Sequence, residues 1–118
     1  MSIRLSAIES VEGVAEIPGE VGGPSLRVTV EVANTTEAAV DLSGTVVNLY
    51  LGTDRRPAIG LMKPGGSLMP SSVEPGAAAT GVYVFNVPAQ DRALVAVEVD
   101  IAIELPVVVF EGTAPAAG

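Results

Sequence analysis

Carboxylates are the one reactive class in this 118-residue chain whose spacing suggests chemistry. Glu98, Asp100 and Glu104 recur at steps of two and four, which on a strand would set Glu98 and Asp100 about 7 Å apart on one face. Glycoside hydrolases hold their two carboxyl groups about 5–9.5 Å apart, one as acid and one as nucleophile or base. A sugar site also needs an aromatic platform, and with no Trp only Tyr50, Tyr83, Phe85 and Phe110 could stack on a ring. A solvated strand face is the better reading. Glu9, Glu12, Glu16 and Glu20 form a second set, with oxygen ligands of the kind a calcium ion takes. Calcium loops pack several carboxylates into a dozen residues around an obligatory Gly, and nothing here matches that pattern. These glutamates are better read as an exposed acidic edge that discourages strand-to-strand aggregation.

Other routes to catalysis lack a partner. Serine and threonine hydroxyls are plentiful, but a nucleophile needs a base, and the chain has no His, no Cys and only Lys63 as a side-chain amine. The Gly-rich stretches contain neither a dinucleotide fingerprint nor a Walker pattern, so they read as turns. Arg55-Arg56, flanked by Asp54 and Pro57, is the sole basic pair in an acidic chain. It could receive a partner's carboxylate; the plainer alternative is a solvated turn in which Asp54 pairs locally. Asn34-Thr35-Thr36 fits the glycosylation acceptor pattern, a short motif that carries little weight alone.

Charge and composition narrow the partners. Fourteen acidic against six basic side chains give a net charge of −8, which repels nucleic-acid backbones and anionic membrane surfaces. A hydrophobic share of 48% and a mean hydropathy of +0.49 argue for a packed core, and the length fits one domain. No apolar run approaches the roughly 18 residues of a membrane span, and Met1–Arg4 is followed by acidic residues rather than an apolar leader. Zero cysteine suits a reducing cytosol and equally an exported bacterial protein that folds without bridges. The expectation is no cofactor, no metal, no nucleic-acid partner and no direct membrane insertion.

The elements that position these groups read as strands. In 26–33, Leu26, Val28, Val30 and Val32 fall on one face and Arg27, Thr29 and Glu31 on the other. The same period returns in 95–104, with Val95, Val97, Val99, Ile101 and Ile103 opposite Glu98, Asp100 and Glu104. Thr45–Leu51 and Val82–Phe85 are apolar on both faces, as central or covered strands are. Ile3–Ala7 supplies a first strand, Pro106–Glu111 a last, and Val14–Ile17 reads as an irregular or bulged edge strand. Gly, Pro, Asn and Asp clusters at 18–24, 34–37, 52–54, 63–67, 74–76 and 88–91 supply the turns between them. The pattern predicts an all-β chain, an immunoglobulin-like antiparallel β-sandwich of about seven to nine strands over residues 1–112, with 113–118 a flexible tail or linker. Without a disulfide or a Trp, aliphatic contact between residues such as Val30 and Val97 must close it.

One run is also similar to a known family. Val28-Thr29-Val30-Glu31-Val32-Ala33-Asn34-Thr35-Thr36 resembles the strand and Asn-Thr turn of bacterial extracytoplasmic immunoglobulin-like domains. Val40-Asp41-Leu42, Leu49-Tyr50-Leu51-Gly52, Val73-Glu74-Pro75-Gly76 and Gly81–Pro88 follow in the corresponding order. From about Ile3 to Gly112 the chain resembles the telokin-like immunoglobulin domains of actinobacterial secreted and cell-surface proteins, of the mycobacterial secreted immunoprotective antigen type. The shared features are turns and strands, not catalytic groups. The resemblance implies a setting outside the cytoplasm, extracellular or at the cell surface.

The expected function is accordingly non-enzymatic: an interaction or spacer module that presents loops and strand edges to a protein partner. The candidate contact residues are Asp54, Arg55 and Arg56 on one loop and the apolar Leu61, Met62, Leu68 and Met69 on another. The alternative is a structural subunit of a surface layer, a pilus or a decorated shell, self-assembling through the same edges and apolar loop residues. A carbohydrate-binding module or hydrolase ranks last, for want of aromatic residues and His.

Overall fold

The structure is a computed structural model that describes residues 2–18, 20, 22–101 and 107–113. Among these residues the strands are β1 (Ser2–Gly13), β2 (Gly23–Ala33), β3 (Val40–Asp41), β4 (Val46–Leu51), β5 (Arg56–Pro57), β6 (Gly60–Leu61), β7 (Ser72–Val73), β8 (Ala78–Asn86), β9 (Val95–Asp100) and β10 (Val108–Gly112), with a 3-10 turn at Ala89–Asp91. One sheet has the order β1-β2-β8-β6, the other β10-β9-β4-β5, and β3 pairs with β7 in a short ribbon. Every pairing is antiparallel. The chain is an all-β sandwich, and the two strand orders are those of the A-B-E-D and G-F-C-C′ sheets of an immunoglobulin-type fold.

Alternation in the sequence decides which faces meet. Leu26, Val28, Val30 and Val32 of β2 are fully buried, and they pack in one core with Val95, Val97 and Val99 of β9 and Leu49 and Leu51 of β4. β-branched side chains dominate these rows because they lose little rotamer freedom on a pleated surface. The aliphatic contact expected around Val30 and Val97 is present. Ile101 is buried as the period of β9 requires, while Ala102–Glu104, and Glu104 with them, lie outside the described residues. Of the expected 113–118 tail only Thr113 is described, and its hydroxyl donates to the Ala93 carbonyl at 3.1 Å.

Two strand assignments need correction. The first strand runs far beyond Ala7: β1 has twelve residues and pairs with β2 along its whole length, with a bulge between Leu5 and Ala7. No strand forms at Val14–Ile17 beyond an isolated bridge from Val14 to Lys63. The cause is local, because the Glu20 carboxylate accepts the backbone N–H groups of Glu16 at 2.7 Å and Ile17 at 3.2 Å, closing a turn there. β4 is central as expected, flanked by β9 and β5, with Val47, Leu49 and Leu51 pointing inward and Val46 half exposed. β8 meets the expectation for Val82–Phe85, since β2 and β6 flank it and the adjacent Val84 and Phe85 are both buried.

Two buried polar side chains tie neighbouring segments of the sandwich together. Asn34 is buried; its Nδ2 donates to the carbonyls of Ala38 (2.8 Å) and Val73 (3.0 Å), and its Oδ1 accepts from the Thr36 N–H (2.9 Å) and hydroxyl (2.6 Å). Its backbone binds the 74–77 segment as well, where Pro75 and the positive φ of Gly76 build a type II turn. Asn34 is therefore a structural clasp, and its amide is not available as a glycosylation acceptor. Asn34→Ala is expected to cost about 1–3 kcal/mol, because it strands the buried Val73 carbonyl and takes away the acceptor of the Thr36 N–H. Urea denaturation would read this as a lower midpoint at unchanged slope.

Arg92 is the second clasp. Only 4% exposed, it donates from Nε and Nη2 to the Val87 carbonyl (3.2 and 3.0 Å), from Nη2 to the Ser25 carbonyl (3.3 Å) and from Nη1 to Ser10 Oγ (2.8 Å). It thereby ties the chain leaving β8 to β1 and β2. Burial pushes its pKa down, but a guanidinium remains charged at any pH the protein meets.

Candidate functional site

The basic pair sits on the hairpin between β4 and β5. Gly52 and Arg55 both take positive φ, 70° and 52°, which closes the turn tightly enough to aim the two arginines apart. Arg55 lies over the Tyr50 ring, 4.9 Å from its centroid, with Nη2 3.8 Å from Glu98 Oε2. Arg56 reaches Asp54 at 3.2 Å and Asp91 at 2.9 Å. Asp91 first and Asp54 second hold its guanidinium more firmly protonated than usual. Asp54 pairs locally, yet the closer partner, Asp91, comes from the 3-10 turn, and Glu98 comes from β9. Both cations are engaged within the chain, so a partner's carboxylate would compete with ion pairs already made.

The apolar set gathers around β8. Leu61 faces Val84 across the β6–β8 pair and is 4% exposed, which corrects its reading as an exposed loop residue: its side chain shares the outer face of the sheet with Val84 and is covered there by β1 at Gly13. Met62 is 41% and Leu68 68% exposed. Ser67 bonds Val82 in both directions, at 2.9 and 2.7 Å, fixing Leu68 beside β8. Met69 packs against the core and its N–H donates to Tyr83 Oη at 3.3 Å. The Tyr83 ring reaches back there because Gly81 has no side chain; a Cβ on Gly81 would stand 2.8 Å from the ring. Burial pushes the Tyr83 hydroxyl pKa up.

These residues frame an open cavity of about 300 Å³ on one flank of the sandwich, lined chiefly by Val47, Leu61, Met62, Tyr83 and Phe85, with Glu20 at its polar side. Two of the residues expected from the sequence, Leu61 and Met62, line it directly, and Leu68 and Met69 adjoin its β8 wall. Val47, Tyr83, Phe85 and Glu20 were not legible as site residues, because nothing local distinguishes them from core and turn positions. The volume sits at the small end of ligand pockets, enough for one or two side chains.

The carboxylates disperse. Arg27 lies 3.1 Å from Glu9 and holds its carboxyl below the usual range, Lys63 lies 3.6 Å from Glu16, and Glu20 closes its own turn. Among the described residues no three His, Cys, Asp or Glu side chains gather where they could hold a metal ion. Glu98 and Asp100 share a half-exposed face of β9, where Glu98 answers Arg55.

No family model, curated protein or solved structure matches this chain.

Proposed function

We propose that this protein is a non-catalytic, immunoglobulin-like interaction module, working outside the cytoplasm, that docks a protein partner on the flank formed by β6, β8 and the 62–69 loop. The observation that carries the reading is the open apolar cavity bordered by exposed Met62 and Leu68 on an otherwise acidic surface. Exposed apolar groups beside a well-formed pocket are the usual anchor points of protein interfaces. Glu20 on the rim and the net charge of −8 favour a partner segment that presents an apolar side chain next to a lysine or arginine. The apolar side chain would enter the cavity against Tyr83 and Phe85, and the cation would approach Glu20. Telokin-like domains of actinobacterial surface proteins remain the family the sequence suggests, and their setting supports the extracytoplasmic assignment.

Selection of displayed random peptides against the protein tests this reading. Enrichment of an apolar residue flanked by Lys or Arg is expected. Met62→Asp and Leu68→Asp should each weaken the selected peptides at least tenfold while leaving the melting temperature nearly unchanged, since both side chains are exposed. Peptides indifferent to both substitutions would place the binding elsewhere and remove the proposal.

A further inference from the structure

The opposite flank carries a different surface, the free edge of β1. This strand is twelve residues long, lies at the end of its sheet and has no strand partner on its outer side among the described residues. It contains no proline. On its outer face Arg4 pairs with Glu31 at 3.0 Å and Glu9 pairs with Arg27 at 3.1 Å, yet the Arg4 and Glu9 side chains stay 68% and 49% exposed. On the inner face Leu5 and Ile8 line a second apolar cavity of about 210 Å³ with Val95, Val97 and Phe110.

We infer that two copies of this chain pair through β1, antiparallel about a two-fold axis between Ser6 and Ala7, so that Arg4 of each copy faces Glu9 of the other. The bulge is what permits this register. In an antiparallel ladder only residues of the same hydrogen-bonding phase face one another, with their side chains on one side of the sheet. Residues five apart in a regular strand have opposite phase. Here Arg4 faces Glu31 and Glu9 faces Arg27, two β2 positions four apart, because Ser6 is inserted without a partner of its own. Arg4 and Glu9 therefore share phase and face, as do Leu5 and Ile8, which stand opposite Val30 and Val28.

Pairing in this register makes both faces complementary at once. The outer row reads Glu31, Arg4, then Glu9 and Arg27 of the second copy, alternating in sign across four strands. The inner row reads Val30, Leu5, then Ile8 and Val28 of the second copy, extending the core and capping the cavity beside Phe110. Edges guarded against association carry unmatched charges, proline or a bulge that twists the edge away; the bulge of β1 instead brings Arg4 and Glu9 into phase, so that the edge carries opposite charges in self-complementary order. A C2 interface of this kind uses the same patch twice, as isologous dimers do.

Sedimentation equilibrium of the full chain in 0.15 M salt tests the inference, at an ionic strength that screens the repulsion between two copies of net charge −8. A dimer is expected. Arg4→Glu sets two like-charged pairs across the axis and should raise the dimer Kd at least about tenfold, with an unchanged circular dichroism spectrum. The chain has no cysteine, so a double variant, Arg4→Cys with Glu9→Cys, gives a clean second readout. Within one copy the two positions lie about 16 Å apart along the strand, too far for a disulfide, so oxidation should yield a covalent dimer. Pairing Ser2→Cys with Glu9→Cys shifts the register and should yield none. A monomer at millimolar concentration, or a dimer that tolerates Arg4→Glu and fails to cross-link between positions 4 and 9, overturns the inference.

Discussion

A chain carrying Val30→Asp is expected to show no cooperative unfolding transition and a circular dichroism spectrum without the antiparallel-sheet minimum. Val30 is wholly buried between Leu5 of β1 and Gly81 of β8, at the centre of the first sheet. Losing the valine forfeits about 1.5–3 kcal/mol of burial. Placing a carboxyl group among aliphatic side chains costs several kcal/mol more, even after its pKa rises and it takes up a proton. Domains of this size are stable by about 5–15 kcal/mol, so the sum consumes most or all of the margin. Thr29→Asp, one residue away on the half-exposed face, should cost under about 1 kcal/mol. A folded Val30→Asp protein with an unchanged melting curve would contradict the assignment of faces on which the sandwich rests. Val97→Asp, in the facing sheet, should behave like Val30→Asp for the same reason.

Arg92→Met is the second large effect, at about 2–4 kcal/mol by chemical denaturation. Methionine fills much of the space but donates nothing, leaving the carbonyls of Val87 and Ser25 and the Ser10 hydroxyl without the donors they now share. Arg92→Lys separates charge from geometry. A lysine keeps the positive charge, yet one ammonium cannot span three acceptors on three segments as a planar guanidinium does, so it should recover less than half of the loss. Full rescue by lysine would show that charge alone, not the fork of donors, holds the segments together.

Arg92 also shows where sequence reading stops. Its type and its position after a turn mark it as an ordinary surface arginine, and its partner Ser10 lies 82 residues away. Burial of a guanidinium depends on carbonyls that converge only when β1, β2 and the end of β8 are already in place. Leu61 erred in the opposite direction: between turn residues it reads as loop, but a two-residue strand beside β8 buries it. The arginines at 55 and 56 were visible as a charged loop, whereas Asp91 and Glu98, which engage them, were visible only as a turn acid and a strand-face acid. Asn34 lies between these cases. Its turn was legible from the Asn-Thr-Thr run, and its burial under the 73–77 segment was not.

Local periodicity by itself determined that this chain is all-β, which residues of β2 and β9 face inward, and that Pro-Gly and Asn turns separate the strands, because alternation and turn propensity act over a few residues. The tertiary structure alone decided the length and bulge of β1, the clasp at Arg92, the pairing of the hairpin arginines and the cavity beside Met62. Each of these needs groups from strands distant in sequence to meet at hydrogen-bonding or van der Waals range, and no short-range pattern carries that information.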